Sequence, residues 1–580
     1  MQKTYFTKSA LVAWIISALF DCGAQAQTAD IESAKDAVVN MGLGWSIGNT
    51  LDSYSQKNFD TSSDNFWGQE GLESETDWGQ PIIKKELILM MKEAGFGTIR
   101  IPVTWFNHMD ANGKVSAEWM ARVHEVVDYV IDAGLYCILN VHHDTGADSD
   151  SHTSWIKADE TNYTQNKARY EYLWKQIAEE FKDYDQHLLF EGYNEMLDKL
   201  NSWCYASFAA SGQYDATVAT SAYNAINSYA QSFVSTVRST GGNNAKRNLI
   251  VNTYAACSGH GTWKSYLKDP LKNLTLPTDD TEGHIAFEVH DYPSIEGDMS
   301  DVKAGIDDAF SAWSTYLIAK GAPVILGEWG TANVDNAQTD YDLRRDAMFE
   351  FVDYIIAKCK AMGVAPIYWG GLSSGVHRSI PAFHQADLAE RLAKAWHGSS
   401  FEGIFPTMDN IESITLFEGA KDMEWGSAIT LDASIFTEDN KDMMIEITYE
   451  QNFSDYDDIQ FYSGDWSSMV TVLADDKSYV GDFSPATHYG TPTGTAHVTD
   501  FSISSTSYSL ISQTGLVIQG HGVRVTKVAL VSKKSSSLPP HVYTPATADQ
   551  AIYDLTGRKI ANPTRPGIYI SGGKKYGKLN

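Results

Sequence analysis

Cysteine, basic residues and long hydrophobic runs are all scarce in this sequence. Five cysteines in 580 residues are too few for a disulfide scaffold, and their spacing matches no zinc motif. With 44 Lys and Arg against 74 Asp and Glu, the formal net charge is −30, which opposes binding to a nucleic-acid backbone. Beyond the N-terminus, no apolar run is long enough to span a bilayer. The composition is otherwise globular, and this length predicts two or three domains.

The first 26 residues have the features of a signal peptide. Lys3 and Lys8 give a positive start, and the apolar run Ala10–Phe20 is too short to cross a membrane. Ala24-Gln25-Ala26 then offers a cleavage site. We therefore expect residues 1–26 to be removed and the mature protein to be secreted, either extracellular or held at the cell surface.

Apolar strand-like runs alternate with helix-like segments from residue 31 to residue 396. Eight such units predict an α/β fold, a (β/α)8 TIM barrel over residues 27–400 with long loops after its strands. A doubly wound sheet is the alternative, but no glycine-rich phosphate turn follows the first strand. The expected strands are Met41–Gly44, Thr98–Val103, Tyr136–Val141, Leu188–Glu191, Leu249–Thr253, Ile285–Val289, Val324–Gly327 and Ile367–Trp369. The expected helices are Ile82–Ala94, Ala117–Ala133, Tyr170–Tyr184, Thr220–Arg238, Val302–Ala319, Tyr341–Ala361 and Leu388–Trp396.

The pattern changes near Phe401, where helical periodicity stops and short alternating strands begin. Such strands, separated by Gly, Asp and Ser, predict a β-sandwich over residues 411–532. Residues 533–548 have the composition of a linker. The tail, residues 549–580, resembles the C-terminal sorting or anchoring segments of secreted Bacteroidetes proteins, with a small β-hairpin as the alternative.

The predicted sandwich carries aromatic residues that allow two interpretations. Their flat apolar faces could form a platform for sugars, or they could fill the core of a small domain. The residues concerned are Trp425, Tyr462, Trp466 and Tyr479.

Polar and aromatic residues follow the expected barrel strands at their carboxyl ends, which form one rim in a parallel barrel and hold active sites there. Leu188–Glu195 is an apolar run that ends in Asn194-Glu195, and Val324–Trp329 is a second run that contains Glu328. Because an unpaired charge is costly to bury, carboxylates at these places indicate a function. A pair of carboxyl groups at one rim is typical of glycosidases, which use two of them for catalysis.

Several short motifs resemble those of glycoside hydrolase family 5, the large cellulase family, and they occur in the family's order. Two departures stand out: Ser46 replaces the Asn of many relatives, and Met196 replaces the Pro that ends their Asn-Glu-Pro motif. The matching segments are Gly44–Asp52, Glu75–Gly79, Ile99–Trp105, Asn140–Asp144, Tyr193–Glu195, His290–Tyr292 and Gly327–Gly330.

The resemblance implies roles for individual residues. Glu195 is expected to be the general acid/base and Glu328 the nucleophile. Arg100 would hold the charge of Glu328, Asn194 would bind the sugar 2-hydroxyl, and His290 and Tyr292 would steer the two carboxylates. The expected substrate-binding residues are Asn49, His142, His143, Trp78 and Trp369, with Trp203, Trp263 and Trp329 as looser candidates for the cleft wall.

We expect no catalytic metal and no cofactor. His142, His143 and Asp144 are consecutive, and neighbouring residues on a strand point to opposite faces, which argues against a shared ion. Export permits disulfides, so Cys204 and Cys257, both in expected loops, could pair.

The predicted function is a retaining endo-β-1,4-glucanase that cuts cellulose or a related β-glucan by double displacement. Xyloglucanase, β-mannanase and xylanase are alternatives within the same family. A non-catalytic glycan-binding surface protein is the alternative from another class. The expected partner is a β-glucan polysaccharide, with no nucleic acid and no membrane span, and the expected state is a monomer.

Overall fold

Eight parallel strands close into a barrel, in chain order, in the computed structural model of the protein. They are β1 (Gly44–Ser46), β2 (Thr98–Ile101), β3 (Tyr136–Asn140), β4 (Leu188–Glu191), β5 (Leu249–Cys257), β6 (Ile285–Asp291), β7 (Val324–Trp329) and β8 (Ala365–Trp369). The described residues are 31–54, 71–149, 152–207, 214–331, 338–408 and 411–533, the last with gaps at 425, 442, 453–456, 475–476, 481 and 484–495, together with four tail strands.

The barrel closes through β1, which pairs with both β2 and β8. Gly44 lies opposite Thr98 on one side and Ile367 on the other. A Cβ at residue 44 would come within 2.3 Å of Ile367 Cδ1, so glycine permits this close approach. The TIM-barrel prediction is therefore confirmed.

Helices surround the strands, and four of them begin at a capping side chain: Ser33, Asp159, Asp215 or Asp298. The carboxylates of Asp159 and Asp215 each accept two backbone N–H groups, at 2.8–3.1 Å. The first of these helices starts ten residues before the expected Tyr170, because the Asp159 cap lies upstream of its apolar face. The helices are α1 (Ala34–Met41), α2 (Lys85–Glu93), α3 (Ala117–Asp132), α4 (Glu160–Glu180), α5 (Ala216–Ser239), α6 (Asp269–Asn273), α7 (Met299–Tyr316), α8 (Gln338–Met362), α9 (Val376–Ser379) and α10 (Ala386–His397).

The interior of the barrel has two layers of contrasting chemistry. The lower layer is apolar and packs on α1, which closes the N-terminal end of the barrel. The upper layer lies two residues further along the strands and is polar, yet fully buried. The lower layer comprises Ile138, Leu189, Ile250, Ala286, Ile325, Ala365 and Ile367. The upper layer comprises Arg100, Asn140, Glu191, Asn252 and Glu288.

A bulge in β7 turns Glu328 into this interior. Val289 pairs with Leu326 and His290 pairs with Glu328, which leaves Gly327 as an extra residue on β7. Strict alternation from the inward Ile325 would point Glu328 outwards. The bulge restores it to the inward face beside His290.

A β-sandwich follows the barrel, as predicted, and two antiparallel sheets enclose an apolar core. One helix, α11 (Ser505–Thr514), was not anticipated; Ser504 caps its start. The first sheet has the order β10 (Ala428–Leu431), β17 (Leu516–His521), β12 (Asp458–Ser463) and β15 (Asp482–Phe483). The second has the order β14 (Lys477–Val480), β13 (Thr471–Ala474), β16 (Ala496–Ile503), β11 (Met444–Gln451), β18 (Val523–Lys533) and β9 (Ile411–Met423).

The sandwich touches the barrel at the segment after β8. Ser379, at the end of α9, donates a buried hydrogen bond of 2.7 Å to Asp500 on β16. Residues 399–406 belong to the barrel side: Phe383 N donates to Pro406 O at 2.7 Å, and Phe401 stacks on His397.

The tail forms a separate unit, a four-stranded antiparallel sheet. Its order is β20 (Lys559–Ile560), β19 (Ile552–Asp554), β21 (Gly567–Ser571) and β22 (Lys574–Lys578). The predicted signal peptide and residues 534–548 of the predicted linker lie outside the described residues, while Lys533 ends β18. Within the described part of the chain, no helix is both long and apolar enough to cross a membrane.

Candidate active site

Glu195 and Glu328 face each other at the carboxyl end of the barrel. One carboxylate oxygen from each, together with a ring nitrogen of His290, lie within 4.8 Å of one another. Glu328 is 4% exposed, whereas the side chain of Glu195 is 23% exposed. The structure thus brings together two carboxylates that are 133 positions apart in the chain, one buried and one open to the cleft.

Arg100 holds the floor of the site. Its Nη1 lies 2.6 Å from Glu328 Oε1, and its Nε and Nη2 donate to Glu191 at 2.7 and 2.8 Å. Nη2 also donates to Asn194 Oδ1 at 2.8 Å. Because the guanidinium has fixed geometry, this network sets the positions of Glu328 and Asn194 together.

His290 bridges the two carboxylates from the side. Its Nδ1 is 2.9 Å from Glu195 Oε1 and 3.5 Å from Glu328 Oε2, while its Nε2 is 3.1 Å from Glu288 Oε1. Tyr292 donates its hydroxyl to Glu328 Oε2 at 2.8 Å. These contacts agree with the steering roles expected of His290 and Tyr292.

Burial and charge pull the pKa values of this site in opposite directions. Burial raises the pKa of Glu328, while His290, Arg100 and the Tyr292 hydroxyl lower it. Burial alone would lower the pKa of His290, but Glu328, Glu195 and Glu288 raise it to about 10. The carboxylates around Arg100 likewise outweigh burial and raise its pKa. The carboxylates of the site thus favour the protonated form of both His290 and Arg100.

His142 and His143 both face Asp52, which corrects the expectation that they point to opposite faces. Strand β3 ends at Asn140, so both histidines belong to the following turn. Their Nε2 atoms are 4.0 and 3.8 Å from Asp52 Oδ2, which is buried and has no hydrogen-bond partner among the described residues. Burial lowers the pKa of both histidines and raises that of Asp52 to about 6.

This group of three does not fit a metal ion well. Asn140 Nδ2 donates to Glu191 at 3.1 Å and lies 3.0 Å from His142 Nδ1, while its Oδ1 accepts from Val103 N. The amide orientation makes Nδ1 of His142 an acceptor, so its Nε2 carries the proton in the neutral ring. A protonated Nε2 donates hydrogen bonds and cannot ligate a cation.

Aromatic rings line both sides of this corner. Trp369 lies parallel to His142 with ring centroids 5.8 Å apart, and Trp78 lies 5.1 Å from His143. Gly48 leaves the space for Trp369, since a Cβ there would come within 2.3 Å of the indole. Asn49, which follows it, has a left-handed backbone with φ of 62°.

The looser tryptophan candidates separate into two kinds. Trp203 and Trp263 are 45% and 59% exposed, in the loops after β4 and β5. Trp329 is fully buried and packs against Tyr368 and Phe351, so it is a core residue.

Two other groups of predicted residues have a simpler outcome. In the sandwich, Trp466 is 51% exposed and its ring lies 5.3 Å from that of Tyr462 at a tilt of 35°. The side chains of Trp425 and Tyr479 lie outside the described residues. All four cysteines of the described chain, including Cys204 and Cys257, carry free thiols in the structure.

Sequence reasoning missed the buried carboxyl and amide groups beneath the two facing carboxylates. Glu191, Asn252 and Glu288 contact Arg100, His290 or one another, and all are fully buried. A signal was present, since each is an ionisable or amide residue inside an otherwise apolar strand. Asn140 belongs to the same class.

Comparison with known proteins agrees with this geometry. The family profile for cellulase, glycosyl hydrolase family 5, matches residues 56–371, more than half of the chain. The chain belongs to glycoside hydrolase family 5. The matched residues contain strands β2 to β8 and both facing carboxylates.

Several similar proteins are named endoglucanases. The chain is 34% identical over 350 residues to endoglucanase B of Neocallimastix patriciarum, an alignment that covers 58% of this chain and 64% of that protein. A solved GH5-4 broad specificity endoglucanase from an uncultured bacterium is 60% identical, with a TM-score of 0.60, and covers 63% of this chain and 96% of its own. A family 5 enzyme from Prevotella bryantii, solved with a xyloglucan tetradecasaccharide, is 38% identical with a TM-score of 0.54. The match covers 63% of this chain and 99% of that enzyme's chain.

Proposed function

We propose that this protein is a retaining endo-β-1,4-glucanase. The observation that carries the proposal is the facing pair of carboxylates, Glu195 and Glu328, which share one imidazole and lie within 4.8 Å. Retaining glycosidases separate their carboxyl groups by about 5–5.5 Å, whereas inverting enzymes leave room for a water at about 6.5–9.5 Å. The short separation supports double displacement.

In the first step, Glu328 attacks the anomeric carbon as Glu195 gives its proton to the leaving oxygen. Arg100, His290 and Tyr292 all contact the Glu328 carboxylate, which supports its role as the ionised nucleophile. Asn194 is anchored by Arg100 beside the same carboxylate, and its amide nitrogen would donate to the sugar 2-hydroxyl.

In the second step, Glu195 acts as a base and takes a proton from a water molecule. The water oxygen bonds to the anomeric carbon as the bond between that carbon and Glu328 breaks, so the configuration is retained overall. The partial exposure of Glu195 supports this role, because the group must meet first the leaving sugar and then water. No step in this scheme calls for a metal or an organic cofactor.

The sugar on the non-reducing side of the cut is expected to lie on Trp369. His142 stands parallel to that indole, and its Nε2–H would donate to a sugar hydroxyl there. Asp52 and His143 border the same corner and offer further acceptors and donors. Trp78 would extend the wall, and Asn49 would contribute from the turn after β1.

The substrate class is a β-1,4-linked glucan, and the similar proteins suggest tolerance of branched chains. One relative is described as a broad specificity endoglucanase, and another was solved with a xyloglucan oligosaccharide. We infer that this chain cuts unbranched β-glucan and also accepts xyloglucan. The protein would act as a monomer, outside the cell or at its surface, after loss of residues 1–26.

A substrate panel tests this proposal. Carboxymethyl cellulose, mixed-linkage glucan, xyloglucan, mannan and xylan would be compared by release of reducing ends, with Glu328→Gln as the matched blank. Cleavage of the first three, absent in the variant, is the expected result. A protein that binds these glycans but cuts none of them would instead be the non-catalytic surface protein.

A further inference from the structure

A third carboxyl group, that of Glu288, lies against the catalytic pair, and double displacement assigns it no part. It lies on β6, two residues before His290 and on the same face of the strand, and it is fully buried. A carboxyl group in such a place is costly unless its contacts compensate for lost water. Its contacts therefore indicate what it does.

Those contacts converge on one oxygen of Glu288. Oε1 lies 3.1 Å from His290 Nε2, 3.4 Å from Asn252 Nδ2 and 3.7 Å from Arg100 Nε. Oε2 has no hydrogen-bond partner among the described residues, although it is buried. The carboxyl group is thus oriented towards the imidazole.

Gly327 leaves the space that this carboxyl group occupies. A Cβ at residue 327 would come within 2.1 Å of Glu288 Oε1 and 2.2 Å of its Cδ. Gly327 does not have a left-handed backbone, so the backbone alone would accept alanine. The glycine of the β7 bulge is therefore needed because of Glu288.

The position of Glu288 decides which nitrogen of His290 holds a proton permanently. Nε2 faces a carboxyl oxygen and donates to it, which leaves Nδ1 to face Glu195 at 2.9 Å. One proton lies between Nδ1 and Glu195. It belongs to the imidazole when a negative charge on Glu288 favours the cation, and to Glu195 when that charge is absent.

We propose that Glu288 is a positioning residue for the acid/base: acting through His290, it governs whether Nδ1 or Glu195 holds the shared proton, and so it sets the basic limb of kcat/KM. The proposal rests on the roles proposed for Glu195 and Glu328. Other charged and titratable groups also contact Glu288 and His290. Arg100 and Glu191 lie against Glu288, and Glu195, Glu328 and Tyr292 lie against His290.

The direction of the pH effect follows from the charges. Burial and the charge of Glu191 raise the pKa of Glu288, so it stays protonated on the acid side and ionises as the pH rises. Once ionised, it draws the shared proton from Glu195 to Nδ1. The fall of kcat/KM at high pH is then set by Glu288, His290 and Glu195 together, as one coupled system.

Glu288→Gln tests this directly, because glutamine keeps the size and the acceptor oxygen but cannot ionise. We expect the basic limb of kcat/KM on soluble glucan to move to higher pH by about one unit or more, with kcat at the optimum within about tenfold of wild type. Glu296→Gln, an exposed residue after β6, is the control and should not move the limb. An unmoved basic limb in Glu288→Gln would overturn the proposal.

A second variant approaches the same contact from β7. Gly327→Ala should displace the Glu288 carboxyl and change the basic limb. In a Glu288→Ala background, which has no carboxyl group left to displace, the same Gly327→Ala change should leave the basic limb where Glu288→Ala alone puts it. A Gly327→Ala enzyme with the wild-type pH profile would contradict the proposal.

One measurement needs no variant. Nitrogen NMR of labelled histidine in the wild-type protein should find His290 Nε2 protonated at all pH values where the enzyme is active; an unprotonated Nε2 would refute the arrangement. Failure of the proposed function is distinguishable, because it would show as residual activity in Glu328→Gln. If Glu328→Gln is inactive but Glu288→Gln keeps the wild-type basic limb, only the role of Glu288 is refuted.

Discussion

The two layers inside the barrel differ in chemistry although they lie only two residues apart on the same strands. Ile138 is followed by Asn140, Leu189 by Glu191 and Ile250 by Asn252. The lower layer stabilises the fold by burying apolar surface. The upper layer buries charges, which stabilises little unless every partner is present. Residues only two positions apart on one strand thus contribute either to the stability of the fold or to the network that holds the active-site carboxylates.

The largest effect on activity should come from Glu328, which Arg100 of the upper layer holds. Glu328→Gln replaces the proposed nucleophile with an amide of the same size, and we expect kcat to fall by about 10⁴-fold or more. Far-ultraviolet circular dichroism should stay unchanged. Glu179→Gln, an exposed control on α4, should keep full activity; wild-type turnover in Glu328→Gln would show that the nucleophile assignment is wrong.

Arg100→Met should damage both fold and function, which distinguishes it from Glu328→Gln. The change leaves Glu191 and Glu328 without their main partner, and breaking a buried ion pair typically costs about 3–5 kcal/mol. We expect a lower denaturation midpoint together with a loss of kcat. A variant of normal stability would mean that the carboxylates find other partners.

Ile250→Ala provides the matched change in the lower layer. It removes buried methyl groups, and such changes typically cost about 2–5 kcal/mol of stability. Urea denaturation should detect that loss, whereas kcat per folded molecule should stay close to wild type. A large loss of kcat in the folded variant would break the distinction between the layers.

Tyr292→Phe should shift the acid limb of activity without abolishing it. Glu328 must be ionised, so activity falls as the pH drops through its pKa, which burial has raised. The Tyr292 hydroxyl stabilises the ionised form, and its removal raises that pKa further. We expect the acid limb of kcat/KM to move to a pH about one unit higher. A pH–rate profile measures this shift.

Removal of the sandwich should have the smallest effect on catalysis. A chain that ends at Met408 keeps Phe401 and Pro406, which contact the barrel, and loses only contacts such as that between Ser379 and Asp500. We expect it to fold and to cut soluble glucan normally. An ending near Gly398 would remove Phe401 and expose part of the barrel.

Binding to insoluble glucan separates two roles for the sandwich. Selective loss of binding or cleavage in the shortened chain would favour a glycan-binding module, and Trp466→Ala would test its exposed aromatic pair. Equal behaviour of both chains would favour a spacer. An unfolded short chain would show that the barrel depends on the sandwich.

Much of this arrangement was predictable from the sequence. The alternation of apolar strands and helices predicted the barrel, and the Asn194-Glu195 and Gly327-Glu328 strand ends predicted the two carboxylates that face each other in the structure. The β7 bulge was not predictable, because a single extra residue leaves no trace in apolar periodicity. Glu191 and Glu288 were missed since their partners come from distant strands. The turn after Asn140 was also missed, and with it the common orientation of His142 and His143 towards Asp52.

The central claim is that Glu328 forms a covalent bond to the substrate, and trapping that intermediate tests it most directly. A fluorinated glucoside with a good leaving group, a 2-deoxy-2-fluoro-cellobioside, slows both steps but allows the ester to accumulate. Peptide mass spectrometry after brief exposure should find the added sugar on the peptide that contains Glu328, and NMR should find β-configured first products from ordinary substrate. A label on another residue, or first products of α configuration, would contradict the account.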